Sequence, residues 1–136
     1  MVQYSDIEHA FFFVSSESYG LHAAVLNKET GEIYYRSEMS DWNEIDDDLD
    51  WEYCIEIPHK NDLELGHELV YEFVENYLAD DYERVRQMFR KKGAYGGFKH
   101  FLESKDMLQT WYDFENEQEE KALREWCKEN EIEVSD

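Results

Sequence analysis

The sequence has little proline, little cysteine and no long apolar run. Pro58 is the single proline, and Cys54 and Cys127 are the only cysteines. Two cysteines are too few for a disulfide scaffold, so both are expected to be free thiols. No apolar stretch reaches the roughly 18 residues of a membrane span. The start, MVQYSDIEH, lacks the basic and apolar parts of a signal peptide, so we expect a cytoplasmic protein.

Positive charge is also scarce in comparison with negative charge. The chain has 13 lysines and arginines against 34 acidic residues, a net charge of -21. Such a charge opposes binding to nucleic acid backbones and to anionic membranes. Aromatic residues make up 16% of the chain and hydrophobic residues 42%, which excludes a disordered chain. The length predicts one acidic domain over residues 1–136, with a helix and sheet portion at 1–58 and a helical portion at 59–136.

The hydrophobic pattern predicts an α+β fold with an N-terminal helix, about three antiparallel strands and about four further helices. The first helix is expected at 5–17, where Ser5 and Glu8 have capping-box spacing, although FFFV at 11–14 also fits a strand. The turn sequence NKETG predicts a hairpin. The strands are expected at 21–26, 32–36 and 51–57, the last with Trp51 and Tyr53 facing inward, and the later helices at 62–79, 81–92, 94–103 and 106–129.

A family resemblance is carried by four stretches of the sequence: LNKETGEIYYRSE, IPHKNDLELGHELVYEFV, FRKKGAYGGFKHFLE and WYDFENEQEEKALREWCKENEIE. Together they resemble a bacterial family described as uncharacterised protein family 0158. The family pattern has basic residues where this sequence has Gly96 and Gly97. The resemblance implies a single cytoplasmic bacterial domain, and it implies no activity, substrate or catalytic residue.

An acidic segment, DWNEIDDDLD, occupies residues 41–50. Asp46 as a first calcium ligand puts Trp51 where an EF-hand loop needs glycine, and Ile57 where it needs glutamate, so the EF-hand is excluded. A looser cation site and a solvated loop remain open. A third interpretation is a short helix that presents Trp42, Ile45 and Leu49 to a basic partner. The same three residues could instead cover the protein's own core.

Glutamates on the helix predicted at 62–79 form a second acidic stripe, because their spacing places them on one helical face. It is either a solvated face or a surface for a basic partner. The candidate partner-binding residues are therefore Trp42, Asp46, Asp47, Asp48, Asp50, Glu64, Glu68 and Glu72.

A basic segment at residues 84–100, RVRQMFRKKGAYGGFKH, holds six of the 13 basic residues and no acid. Free amides at a helix start could hold an anion there, and Tyr95 and Phe98 could stack on a base. The segment could also pair with the protein's own acids or with a second copy, or be a solvated helix end. The candidate anion-binding residues are Arg90, Lys91, Lys92, Gly96, Gly97 and Lys99.

Enzyme motifs are missing. There is no H-E-x-x-H or C-x-x-C, and the Glu-x-x-His pair of Glu64 and His67 stands alone where di-iron bundles need two. We expect no metal, no cofactor and no catalytic residue. The leading hypothesis is a non-enzymatic acidic module that binds a basic protein, with nucleic acid mimicry as a variant. The alternative is a small anion, nucleotide or RNA binder, or an enzyme, that uses residues 84–100.

Overall fold

The computed structural model describes all residues from Met1 to Asp136, which group into two units. The first unit contains Met1–Leu63 together with Ala122–Asp136, and the second contains Glu64–Lys121. The α+β prediction is confirmed, because an N-terminal helix and a three-stranded antiparallel sheet precede several helices. That the chain forms a single domain stays a prediction. None of the helices has the length and apolar character needed to cross a membrane.

The first unit is built on a sheet with its strands in the order β3-β2-β4. Its elements before the second unit are β1 (Val2–Gln3), α1 (Tyr4–Ser15), β2 (His22–Asn27), β3 (Ile33–Ser37) and β4 (Cys54–Glu56). The predicted hairpin joins β2 to β3. Asn27 Oδ1 accepts hydrogen bonds from the amides of Glu29 and Thr30 at 2.9 and 3.1 Å, and Gly31 has a φ of 81°. Glycine adopts a positive φ at little cost, and this conformation at Gly31 lets the chain close the turn.

Helix α1 places its apolar residues on one face. Ile7, Ala10, Phe11 and Val14 are buried, so residues 11–14 are helical and the strand alternative is wrong. The predicted capping box is also wrong. Gln3 is the N-cap and makes no side-chain cap hydrogen bond, so Ser5 already lies inside the helix. The pairing of β1 keeps the chain extended up to Gln3, and the helix therefore begins at Tyr4.

Strand β4 is shorter than predicted. Residues 51–53 form a turn in which the amide of Tyr53 donates to the Asp50 carbonyl at 2.9 Å. Trp51 and Tyr53 are 46% and 39% exposed, so the prediction that both face the core is wrong. A turn does not place alternate residues on opposite faces. The alternation in WEYCIEI therefore indicates opposite faces only from Cys54 onward.

The second unit is helical. It contains α2 (His67–Tyr77), α3 (Tyr82–Met88), α4 (Ala94–Ser104) and the start of α5 (Leu108–Glu129). Helix α2 is shorter than predicted, because Glu64 has a φ of 57° and lies in a turn before it. The core of this unit consists of Leu69, Val70, Phe73, Val74, Val85, Phe98, Phe101, Leu102, Trp111 and Phe114.

A pair of very short strands joins the two ends of the chain. Strand β5 (Val134–Ser135) runs parallel to β1, with Val2 opposite Val134. The amide of Val2 also donates to the carbonyl of Glu133 at 3.0 Å. Both strands belong to the first unit, so this unit contains the beginning and the end of the sequence.

Candidate functional site

The acidic loop, residues 38–53, connects β3 to β4, and its first part folds back along β3. The amide of Ser37 donates to the Trp42 carbonyl at 2.9 Å, and the amide of Glu44 donates to the Tyr35 carbonyl at 2.8 Å. A carboxylate oxygen of Glu44 accepts a further bond from the Tyr35 amide at 3.0 Å. These bonds fix the backbone of Trp42 beside the sheet.

Trp42 rests on an aromatic platform formed by Phe13, His22 and Tyr35. Its ring centroid lies 6.1 Å from that of Phe13 and 6.0 Å from that of Tyr35. Phe13 in turn stacks on His22 at 4.2 Å with an interplanar angle of 8°. Trp42 nevertheless remains 50% exposed. It therefore has one side held by the protein and another available to a partner.

The predicted short helix with Trp42, Ile45 and Leu49 on one face does not form. Asn43 Oδ1 accepts from the Ile45 amide at 3.0 Å, and Asp46 Oδ1 accepts from the Asp48 amide at 2.8 Å. Such local side-chain bonds give the backbone an alternative to helical hydrogen bonds. Ile45 and Leu49 are half-buried, so Trp42 alone of the three is exposed.

The second part of the loop exposes further aromatic and acidic side chains. The indole of Trp51 donates to the Asp46 carbonyl at 3.2 Å, which pins its ring at the surface. Met39 is 62% exposed. The predicted acidic residues are all exposed and share this loop: Asp46, Asp47, Asp48 and Asp50. The acidic loop thus combines exposed carboxylates with exposed apolar surface.

Two groups beside the loop, Tyr35 and Cys54, have a raised pKa. Burial raises the pKa of Tyr35, with the charges of Asp6 and Glu44 adding to the effect. Burial also raises the pKa of the Cys54 thiol, and Asp50 adds to it. A thiol with a raised pKa forms little thiolate, so Cys54 is a poor nucleophile.

The predicted glutamate stripe is only partly present. Glu64 lies in the turn before α2, so it does not share a helical face with the others, and that part of the prediction is wrong. Glu68 and Glu72 lie on α2 and are exposed. They belong to the second unit, whereas the acidic loop belongs to the first.

The basic segment runs from α3 into α4, and several of its cations have partners nearby. The guanidinium of Arg84 lies 4.7 Å from the Phe101 ring centroid, and Lys99 Nζ lies 5.6 Å from that of Tyr112. Contacts of this kind stabilise the folded unit. Arg90, Lys91 and Lys92 are exposed in the turn between the two helices.

One of the two glycines predicted to hold an anion has its amide in a helical hydrogen bond. Gly96 and Gly97 lie within the first turn of α4, and the amide of Gly97 donates to the Gly93 carbonyl at 3.2 Å. That amide is therefore not free for an anion. Burial raises the pKa of Tyr95, and the nearby charges of Glu115 and Glu68 add to it. Those carboxylates oppose an anion beside Tyr95.

Metal-binding groupings are not found. No three histidine, cysteine, aspartate or glutamate side chains lie close enough together to hold a metal ion. This holds for the carboxylates of the acidic loop as well. The features that distinguish the acidic loop are therefore its negative charge and its exposed rings.

Several residues of this surface were not predicted from the sequence. Phe13, His22 and Tyr35 come from α1, β2 and β3, and nothing in their spacing brings them together. The alternation in WEYCIEI is typical of a strand and gives no sign that Trp51 and Tyr53 are exposed. The signal that could have indicated their exposure is the acidic composition of the residues before them, because aspartate is more common in loops than in strands.

Comparison with known proteins gives one match. The model of the family described as "Uncharacterised protein family (UPF0158)" matches residues 25–135. No curated protein and no solved structure matches the chain.

Proposed function

The chain belongs to the uncharacterised protein family UPF0158, and we propose that this member is a non-enzymatic acidic module that binds a basic protein through its acidic loop. The observation that carries the proposal is the half-exposed Trp42, held on the rings of Phe13 and Tyr35 among carboxylates. Binding energy at protein interfaces concentrates in such aromatic anchors. Charge complementarity around them steers the encounter and selects the partner.

Binding proceeds in two physical steps under this proposal. The net charge of -21 attracts a basic partner over a distance set by the Debye length, about 8 Å at physiological salt. Trp42 and Met39 then bury their exposed surface against the partner, while the loop carboxylates pair with its arginines or lysines. The partner is a basic protein of the bacterial cytoplasm. Where it is a nucleic-acid-binding protein, the carboxylates stand in for phosphates.

A binding assay with matched variants tests the proposal. The probe is a synthetic peptide rich in arginine and leucine, titrated against the intact chain at low and at physiological salt. Replacing Asp46, Asp47 and Asp48 by Asn should weaken binding at least tenfold. The control replaces Glu117, Glu125 and Glu129 on α5 by Gln, which removes the same charge from exposed positions elsewhere. It should weaken binding less than threefold.

Trp42→Ala supplies the second arm of the assay. An anchor residue contributes about 2 kcal/mol or more, so affinity should fall about 30-fold while the melting temperature holds. Equal weakening by the two charge triplets, with no effect of Trp42→Ala, would show that the peptide senses only the total charge. The acidic loop would then not be the binding site.

A second candidate function rests on the exposed turn at Arg90, Lys91 and Lys92. These cations lie beside Gly93, and none of the three forms a salt bridge with a carboxylate. They favour a small anion or RNA as the ligand. If they bind one, inorganic phosphate or a short RNA oligonucleotide raises the melting temperature. Replacing Lys91, Lys92 and Lys99 by Gln should abolish that rise. An unchanged melting temperature of the parent chain excludes this candidate.

A further inference from the structure

A cavity of about 120 Å³ lies in the first unit, at the end of the sheet where β2 begins. It is separate from the acidic loop's exposed rings and from the basic segment. The residues that give it chemical character are Tyr19, Ala23, Arg36, Glu56, His59 and Asp62. They come from four separate parts of the chain, so no sequence motif marks the cavity.

The register of the sheet places a cation and an anion on the two sides of β2, two residues apart along that strand. Arg36 on β3 lies opposite Ala23, and Glu56 on β4 lies opposite Val25. Opposed residues share a face, as do alternate residues of β2, so these four side chains project from the same face. Strands β3 and β4 flank β2 and are thus about 10 Å apart. The small side chain of Ala23 leaves the space between them open.

His59 makes one wall of the cavity rigid. It is 4% exposed. Its Nε2 lies 2.9 Å from the Glu17 carbonyl, and its Nδ1 lies 3.1 Å from the Asn61 amide. A carbonyl only accepts and an amide only donates, so Nε2 carries the proton and Nδ1 is the acceptor. Asp62 Oδ2 accepts from the His59 amide at 3.0 Å, which fixes that carboxylate at the cavity.

Arg36 retains unused hydrogen-bonding capacity. Its Nε is inaccessible to water and makes no hydrogen bond. A carboxylate oxygen of Glu38 lies 3.5 Å from this atom, as a loose ion pair between partly exposed side chains. A guanidinium carries five donors, arranged to bind a carboxylate through two of them. Glu56 forms no ion pair and is exposed.

From this arrangement we propose that the cavity binds a small zwitterion, a molecule with one carboxylate and one ammonium group and the size of a small α-amino acid. The ligand carboxylate pairs with Arg36, and the ammonium group pairs with Glu56 and Asp62. A simple anion would meet Glu38, Glu56 and Asp62 and the overall charge of -21. A simple cation would lie against Arg36. A zwitterion has no net charge and satisfies both sides.

The volume of the cavity limits the size of the ligand. Sites for drug-sized molecules enclose roughly 300–1,000 Å³, whereas this cavity has about 120 Å³. Glycine, L-alanine and L-serine are therefore the probes of choice. The proposal does not depend on the proposed function of the acidic loop, since it uses other residues.

The test is an NMR titration of the intact chain with glycine, L-alanine and L-serine, and separately with acetate and with methylammonium. The amino acids should give saturable shifts at about millimolar concentration, centred on Gly20, Ala23 and Glu56. Acetate and methylammonium supply one charge each and should not saturate at the same concentration. Saturation by either of them alone would overturn the zwitterion, and the absence of any saturable shift would overturn the site.

Two substitutions locate the binding within the cavity. Ala23→Val fills the space between Arg36 and Glu56, and valine is favoured in strands, so the fold is retained. Arg36→Gln removes the cation. Each change should weaken amino acid binding at least tenfold. Glu29→Gln, in the exposed hairpin turn, is the control and should bind like the parent chain. Unaltered binding in Ala23→Val would place the ligand elsewhere and contradict the proposal.

Discussion

The acidic loop and the core of the second unit place their tryptophans in opposite ways. The second unit buries Trp111, which is 1% exposed and lies 5.2 Å from the ring centroids of both Phe73 and Phe98. The first unit leaves Trp42 50% and Trp51 46% exposed on the acidic loop. The ring of Trp111 stabilises the fold of the second unit, whereas Trp42 and Trp51 retain exposed apolar surface.

The charges near the rings of the second unit and of the acidic loop differ as well. In the second unit, Arg84 and Lys105 lie over the Phe101 ring at 4.7 and 5.8 Å, so cations and rings already interact. In the acidic loop, the exposed rings are surrounded by carboxylates, which offer them no such contact. A cation from a partner would find both a ring and a negative charge there. The comparison explains why the acidic loop, and not the basic segment, is the stronger binding candidate.

The largest effect is expected from the buried tryptophan. Trp111→Ala removes the centre of the aromatic core and should lower the free energy of unfolding by about 3–5 kcal/mol. Trp51→Ala should lower it by less than about 1 kcal/mol, because almost half of that side chain is already in water. Urea denaturation of each variant measures both values. If both variants lose a similar free energy of unfolding, Trp51 contributes to stability as much as Trp111 does, and the contrast between the acidic loop and the core is contradicted.

Trp111→Phe is the control for that experiment. The Trp111 Nε1 atom is buried and has no hydrogen-bond partner. Phenylalanine removes this unpaired donor while keeping much of the apolar volume, so part of the loss should be recovered. If the phenylalanine variant is as unstable as the alanine variant, the expected gain from removing the unpaired Nε1 donor is contradicted.

A smaller effect separates the cations of the basic segment. Arg84→Gln removes the guanidinium from the Phe101 ring and should lower the free energy of unfolding by about 0.5–1 kcal/mol. Lys91→Gln changes an exposed turn residue and should leave it unchanged within about 0.5 kcal/mol. Thermal denaturation of both variants at the same salt concentration makes the comparison. The reverse order would show that Arg84 is the free cation of this segment.

The smallest effect is a loss of stability at alkaline pH, which both units should share. Burial raises the pKa of Tyr35 in the first unit and of Tyr95 in the second from the ordinary value of 10.0, and that of Cys127 from 9.0. The folded state therefore holds these protons more tightly than the unfolded state. Their stabilising contribution is complete below the ordinary values and is lost as the pH rises through the folded-state values.

Melting temperatures measured from neutral pH upward test this expectation. The melting temperature should begin to fall above about pH 9, and it should fall less in Tyr95→Phe, which has no phenolic proton to lose. A Tyr77→Phe variant is the control, because Tyr77 is 51% exposed. A melting temperature that rises in this range would contradict the sign of the shifts.

Local signals predicted much of the fold. The turn residues of NKETG and the apolar spacing in α1 act over a few residues, and the hairpin and this helix lie close to where they were expected, whereas α2 is shorter than predicted. Predictions that depended on the residues flanking an element were wrong. Ser5 is no cap because the extended backbone continues to Gln3, and Trp51 faces solvent because local bonds turn the chain at Asp50.

The sites were predicted less completely than the fold. The sequence identified Trp42 and the carboxylates of the acidic loop, since exposed acids and a nearby tryptophan occur in one segment. The platform beneath Trp42 and the cavity between Arg36 and Glu56 require strand register, which composition does not reveal. Glu64 was assigned to a helical face by its spacing alone, and one residue with a positive φ was enough to remove it.

The pairing of β1 with β5 has a consequence for the order of folding. Val2 contacts Val134 across nearly the whole chain, and the residues of the second unit lie between them in sequence. Closing so long a loop costs more entropy than closing the β2–β3 hairpin, and it is slower. On a ribosome, the hairpin is free to form while the helices are still being made. The first unit, although begun first, is then the last to be completed.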